Sequence, residues 1–116
     1  MTPELHRLAT ELTSVIDAAA AAFGTADPTL SGELDCDPTS PGNLLCWQYG
    51  VRVDHPAAPE TTLATLLPAL HGEGWESHDR STSRERITRF TRDGADFTIH
   101  VAGAVTILGS TRPVPA

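Results

Sequence analysis

Between residues 46 and 54 the chain alternates. Trp47, Tyr49, Val51 and Val53 fall on one parity, while Gln48, Gly50, Arg52 and Asp54 fall on the other. Side chains point to opposite faces along a strand, so this spacing predicts a β-strand with one apolar and one wet face. A different period governs the N-terminal part. Leu5, Leu8, Leu12, Val15, Ile16, Ala19 and Phe23 recur at three- and four-residue steps, the apolar stripe of an amphipathic helix over residues 3–23. Thr2 suits its N-cap, Pro3 its first turn and Gly24 its end.

The other elements follow from the same two periods. A short strand over 31–36 and the strand 46–54 flank a turn-rich connection, 37–43, which predicts an antiparallel hairpin. Leu63, Leu66, Leu67 and Leu70 mark a second helix over 60–71. Pro68 lies inside it and predicts a kink or a late start. Strands are expected over 76–81, 85–92, 96–102 and 104–109, with Asp93-Gly94 as a turn signal. Trp75 reads as a core anchor beside Gly74. Residues 110–116, with Pro113 and Pro115, read as a flexible tail. The pattern predicts one α+β domain over 1–116, in the order α-β-β-α-β-β-β-β. A single antiparallel sheet carries both helices on its apolar face.

At 116 residues a core can form without staples. Aromatics are few, so that core is mostly aliphatic. The net charge is −7, and it is uneven. The first sixty residues carry nine acids and two arginines, and the remainder carries six of each. A negative surface disfavours nucleic acid and anionic membrane, and it steers basic protein partners. No run of apolar residues is long enough to span a bilayer. Residues 1–5 show neither a positive nor an apolar leader region, so the chain as written reads as cytoplasmic. Removal of a leader would instead place it in the envelope or outside the cell.

Catalytic signatures are missing from the sequence. The five histidines lack the close pairing that announces a zinc site, and no Gly-x-Ser-x-Gly elbow or phosphate-binding glycine loop occurs. No catalytic, metal or cofactor residue is therefore assigned, and no cofactor is expected. Two charged groups stand out as interaction surfaces. One is acidic, with Asp27, Glu33, Asp35 and Asp37 on the first hairpin and its loops. The other is basic: a regular strand over 84–92 would set Arg84, Arg86 and Arg92 on one parity. Phe90 shares that parity and Ile87 does not, which suggests a bulge. Pairing of these arginines across strands with Asp96, Glu76 or Glu85 is the simpler expectation.

Cys36 and Cys46 sit at matching ends of the proposed hairpin. Directly opposed, they would fall within the 4.4–6.8 Å Cα range that a disulfide needs, at roughly that span. Two buried, reduced thiols are the competing reading, and the hairpin geometry favours the bond.

From Trp47 onward the pattern resembles small actinobacterial envelope proteins, among them assigned lipoproteins of uncharacterised function. The matching features are Trp47-Gln-Tyr49-Gly-Val-Arg-Val53, the leucine-rich helix ending at Gly74-Trp75, an Arg/Thr-rich hairpin and Ile107-Leu-Gly-Ser-Thr111. The resemblance covers residues 44–112 and rests on packing motifs. It implies an oxidising compartment. It also implies a cysteine soon after the last strand as the partner of an early one. Cys36 matches the early position, and 110–116 contains no cysteine. The family supplies no catalytic residue.

Three functions are expected in descending order. The first is a non-enzymatic protein-interaction domain, of immunity or accessory type. The second is an envelope domain holding a small ligand between sheet and helices. The third is a small enzyme using the Arg-rich sheet face with His100.

Overall fold

The computed structural model describes residues 2–37 and 39–116. Met1 and Pro38, the latter within the expected turn 37–43, lie outside the described residues. Among the described residues, two helices and seven strands form an α+β fold with one antiparallel sheet. The elements are α1 (Pro3–Phe23), β1 (Asp27–Asp35), β2 (Leu44–Val53), α2 (Pro59–Gly72), β3 (Glu76–Asp79), β4 (Arg86–Arg92), β5 (Ala95–Ala102), β6 (Ala104–Ser110) and β7 (Val114–Pro115).

The strands line up as β1-β2-β6-β5-β4-β3, and β7 joins β2. The sheet is thus two sequential pieces, the β1–β2 hairpin and the β3–β6 meander, joined along the β2–β6 seam. Register there runs from Gln48 opposite Ser110 to Val53 opposite Val105. Helix α1 lies over that seam and touches both strands. It starts where Thr2 accepts the Leu5 N–H on its hydroxyl at 3.2 Å, an N-cap. Leu5, Ala9, Leu12, Ile16, Ala19, Ala20 and Phe23 are buried beneath it. Gly109 makes its close approach to the sheet possible. A Cβ there would meet the Asp96 carbonyl and Phe97 Cβ at 2.6 Å and Ile16 Cδ1 at 3.1 Å.

The core is aliphatic around a small aromatic group. Phe90 stacks on Phe97 with centroids 4.9 Å apart, and Trp75 meets Phe97 edge-on at 4.8 Å. Edge and offset arrangements of this kind suit the charge distribution of aromatic rings. Helix α2 contributes Leu63 and Leu70 to the same core and runs through Pro68. The β4–β5 turn takes positive φ at both Asp93 (50°) and Gly94 (83°), as tight hairpins require.

Several expectations need correction. The tail 110–116 is not free. Val114 opposite Leu45 and Pro115 opposite Leu44 form β7, and Val114 is fully buried. Thr111 ties this segment down, since its Oγ1 accepts the Trp47 N–H at 2.9 Å and its own N–H donates to the Trp47 carbonyl. Strand β1 begins at Asp27 rather than 31, with a register irregularity between Pro28 and Leu30. Strand β4 runs in unbroken register against β5, so no bulge splits it. Trp47 is half-buried rather than fully enclosed, although Tyr49, Val51 and Val53 on its parity are buried.

Candidate functional site

The two charged groups expected from the sequence do not meet. Strand β1 is one edge of the sheet, and β4 lies next to the opposite edge. On the acidic side, Asp35 and Asp37 organise the loop after β1. Asp35 accepts the Gly42 and Asp37 N–H groups at 2.7 and 3.2 Å. Asp37 accepts the Thr39 hydroxyl at 2.8 Å and the Thr39 and Ser40 N–H groups. These bonds, the Thr39 hydroxyl first, hold the Asp37 carboxyl below its ordinary value. Both residues are turn builders in this loop. Asp27 and Glu33 are exposed along β1. On the basic side, Arg86, Thr88, Phe90 and Arg92 share the core-facing side of β4, so Arg86 and Arg92 close the two ends of a buried row. Arg84 sits in the loop before β4. The cross-strand pair that forms is Arg89 with Asp96, at 3.4 Å. His100 meets Glu85 at 3.0 Å and does not join the arginines in a shared site. Among the described residues no group of His, Cys, Asp or Glu is arranged to hold a metal.

The disulfide is present: Cys36 and Cys46 are bonded, with Cα atoms 6.0 Å apart. Their placement differs from the direct opposition expected. The Cys36 N–H donates to the Leu44 carbonyl, and Leu34 faces Cys46. The two cysteines are therefore diagonal neighbours across the hairpin end, still within reach of each other.

Two places in the molecule have the character of binding sites, and neither was visible as a motif. The first is the sheet face that no helix covers. Leu30, Gly50 and Leu108 lie in one cross-strand row, and Leu34 lies beside Cys46. Leu30, Leu34 and Leu108 are 42, 41 and 45% exposed. Gly50 lets the row close up, because a Cβ there would come within 2.9 Å of Leu108 Cδ1. Around this apolar island lie Gln48, Thr98 and Thr106. Apolar side chains grouped on an open sheet face and rimmed by polar groups are the composition of many interaction surfaces.

The second place is a cavity of 180 Å³ on the helix side, between the first turns of α1, the β4–β5 turn and Trp75. Leu8, Leu12 and Ala95 supply apolar wall, and Arg7, Arg92 and Arg112 supply charge. Arg7 pairs with Glu11 at 3.0 Å, and Arg112 pairs with Glu4. Among the described residues Arg92 has no carboxylate partner. Its guanidinium carbon lies 4.5 Å over the Trp75 ring, and its Nη1 donates to the Glu73 carbonyl at 2.8 Å. Stacking on an indole face suits guanidinium. Trp75 is 97% buried, taken from its 3% exposure, and its Nε1 has no acceptor among the described residues. Leaving a buried donor unmatched costs about 1–3 kcal/mol.

Tyr49 joins the sheet to α1 by donating its hydroxyl to Asp17 at 2.6 Å. Burial, and then this carboxylate, push its phenol up to about 12. This strong contact is structural: it fixes the helix over the seam.

No protein-family model matches the chain, and no curated protein matches its sequence. The architecture is that of a single antiparallel sheet with one helical layer. The crystal structure of LppA from Mycobacterium tuberculosis, a protein assigned as a lipoprotein, has a similar fold. It superposes with a TM-score of 0.59 at 12% identity, over 97% of this chain and 76% of that one. At that identity the likeness is one of fold. No helix among the described residues is long and apolar enough to cross a membrane.

Proposed function

We propose that this chain is a non-enzymatic binding domain of the cell envelope that meets a protein partner through the uncovered face of its sheet. The observation that carries the reading is the group of three leucines, Leu30, Leu34 and Leu108, each more than two-fifths exposed on one side. Folding left this apolar area in water, and a partner's apolar surface removes it from water. The partner docks on the face rather than by adding a strand. Edge strand β3 has only four residues, and edge strand β1 carries Asp27, Glu33 and Asp35, the devices that discourage edge pairing. Of these acids Asp27 lies on the leucines' side of the sheet, opposite Arg52, and the net charge of −7 steers a basic partner at longer range. The disulfide supports an oxidising compartment, and the fold shared with LppA supports the envelope.

A photo-crosslinking residue placed at Leu108 in the native host tests this. The expected result is a covalent adduct with a different protein, lost when Leu30→Glu is added. A control position at Thr65, exposed on α2, stays unlinked. No adduct at position 108, or equal adducts at both positions, would overturn the reading.

A second reading, an envelope domain holding a small ligand between sheet and helices, is favoured by the cavity beside Trp75.

A further inference from the structure

We propose that the cavity walled by Trp75, Arg92, Arg112, Leu8 and Leu12 is a binding site for a carboxylate joined to a short apolar group. The proposal does not rest on the open-face reading, because this cavity lies on the helix side of the sheet. Two independent observations point to it. Trp75 lines the cavity, and among the described residues its buried indole N–H has no acceptor. Among the described residues Arg92, in the same wall, is the cavity arginine without a carboxylate partner, since Arg7 and Arg112 pair with Glu11 and Glu4. Arg92 is held in place from two sides, by the Trp75 face and by the Glu73 carbonyl. A guanidinium fixed in this way keeps N–H donors for a carboxylate, and loses little freedom on binding one. Asp93, the remaining acid of the cavity rim, is exposed in the β4–β5 turn, where water and salt screen its charge.

The ligand's chemistry follows from the wall. Its acid group pairs with Arg92, and its apolar part lies against Leu8, Leu12 and Ala95, with Trp75 close enough to report its arrival. Both a free short-chain acid and the C-terminus of a peptide carry a carboxylate on an apolar body. The peptide end adds an amide carbonyl as a further acceptor.

The test follows the indole N–H resonances of the intact protein by NMR. Its two tryptophans supply one reporter and one internal control, assigned with Trp47→Phe. Isovalerate, N-acetyl-valine and N-acetyl-valinamide are titrated separately at constant ionic strength. The expected result is a saturable shift of the Trp75 signal with the acids, and little movement of Trp47. A response to both acids assigns the site to small free acids. A response to N-acetyl-valine alone assigns it to chain termini. Arg92→Gln should weaken binding by about tenfold or more, and Arg92→Lys should weaken it less. The amide comparison needs no variant and decides the matter if Arg92→Gln fails to fold. The proposal is overturned if neither acid shifts Trp75, if the amide acts as well as the acid, if both tryptophans shift alike, or if folded Arg92→Gln binds unchanged.

Discussion

Ile107 and Leu108 are neighbours on β6 with almost the same side-chain volume. Ile107 is fully buried, and Leu108 is 45% exposed. The difference extends across the sheet. On the helix side Tyr49, Val51, Val53, Phe97, Ile99 and Val105 are buried, while on the other side Leu30 and Leu34 share the exposure of Leu108. Residue type does not separate the two faces. What separates them is the position of α1 and α2, both of which lie on one side. The covered face is therefore where stability resides, and the open face is where apolar area remains for another molecule.

The sharpest way to break this comparison is on the covered side. Phe97→Ala removes a fully buried ring that contacts both Phe90 and Trp75. We expect a loss of about 3–5 kcal/mol in urea unfolding. A loss no greater than that of a surface change would mean that the aromatic group is not the keystone of the core. Reduction of Cys36–Cys46 comes next, at the far end of the hairpin from that core. The closed loop is short, with a sequence separation of 10, so the bond stabilises by at most about 3 kcal/mol. Unfolding measured with and without a reductant gives the value.

The Tyr49–Asp17 join adds a pH test of the same covered side. The phenol's folded value of about 12 lies above its ordinary 10.0. Its contribution is therefore whole below pH 10.0 and is lost as the pH rises toward about 12, because the unfolded phenol ionises first. The loss is on the order of 2 kcal/mol, and Tyr49→Phe should flatten that alkaline slope. The smallest expected effect lies on the open face. Leu108→Ser should change stability by no more than about 0.5 kcal/mol in the same urea assay, yet abolish the partner adduct formed by a photo-crosslinking residue placed at Leu34 instead. A large destabilisation would show that Leu108 belongs to the core after all.

Most of the architecture was legible because its periods are local. The stripe of α1 and the alternation of β2 and β5 place most of their buried residues, although Leu8, Val15 and Trp47 are only half-buried and Ala9 and Ala20 are buried without having been read as part of the stripe. Strand β1 was harder to read. It is exposed almost throughout, so its apolar residues do not alternate against a buried face, and Asp27-Pro28 reads as a loop. Strand β7 left no local signal. Val114 sits between two prolines, and its burial depends on Leu44 and Leu45, far away in sequence. The disulfide was legible from the hairpin, although the register is two residues from the direct opposition expected. The sites were not legible. Arg84, Arg86 and Arg92 share a parity on paper. In the fold Arg84 precedes the strand, and the other two close opposite ends of a buried row. The pairing of Arg92 with the Trp75 ring, and the unmatched indole N–H, arise from how the β4–β5 turn meets the segment after α2. No spacing along the chain encodes that meeting.

The seam between β2 and β6 has a consequence for how the molecule assembles. Strand β2 is made early in synthesis, and its second neighbour, β6, emerges only after α2 and three further strands. Until then the nascent hairpin exposes a long unsatisfied edge and the apolar side chains of Tyr49, Val51 and Val53. Closing the seam requires distant segments to find each other, the kind of non-local pairing that slows folding. During that interval the half-made sheet is the stage most open to association with other unfinished chains. Early docking of α1 onto β2, to which it is directly linked through the hairpin, would shelter those side chains until the rest of the sheet arrives.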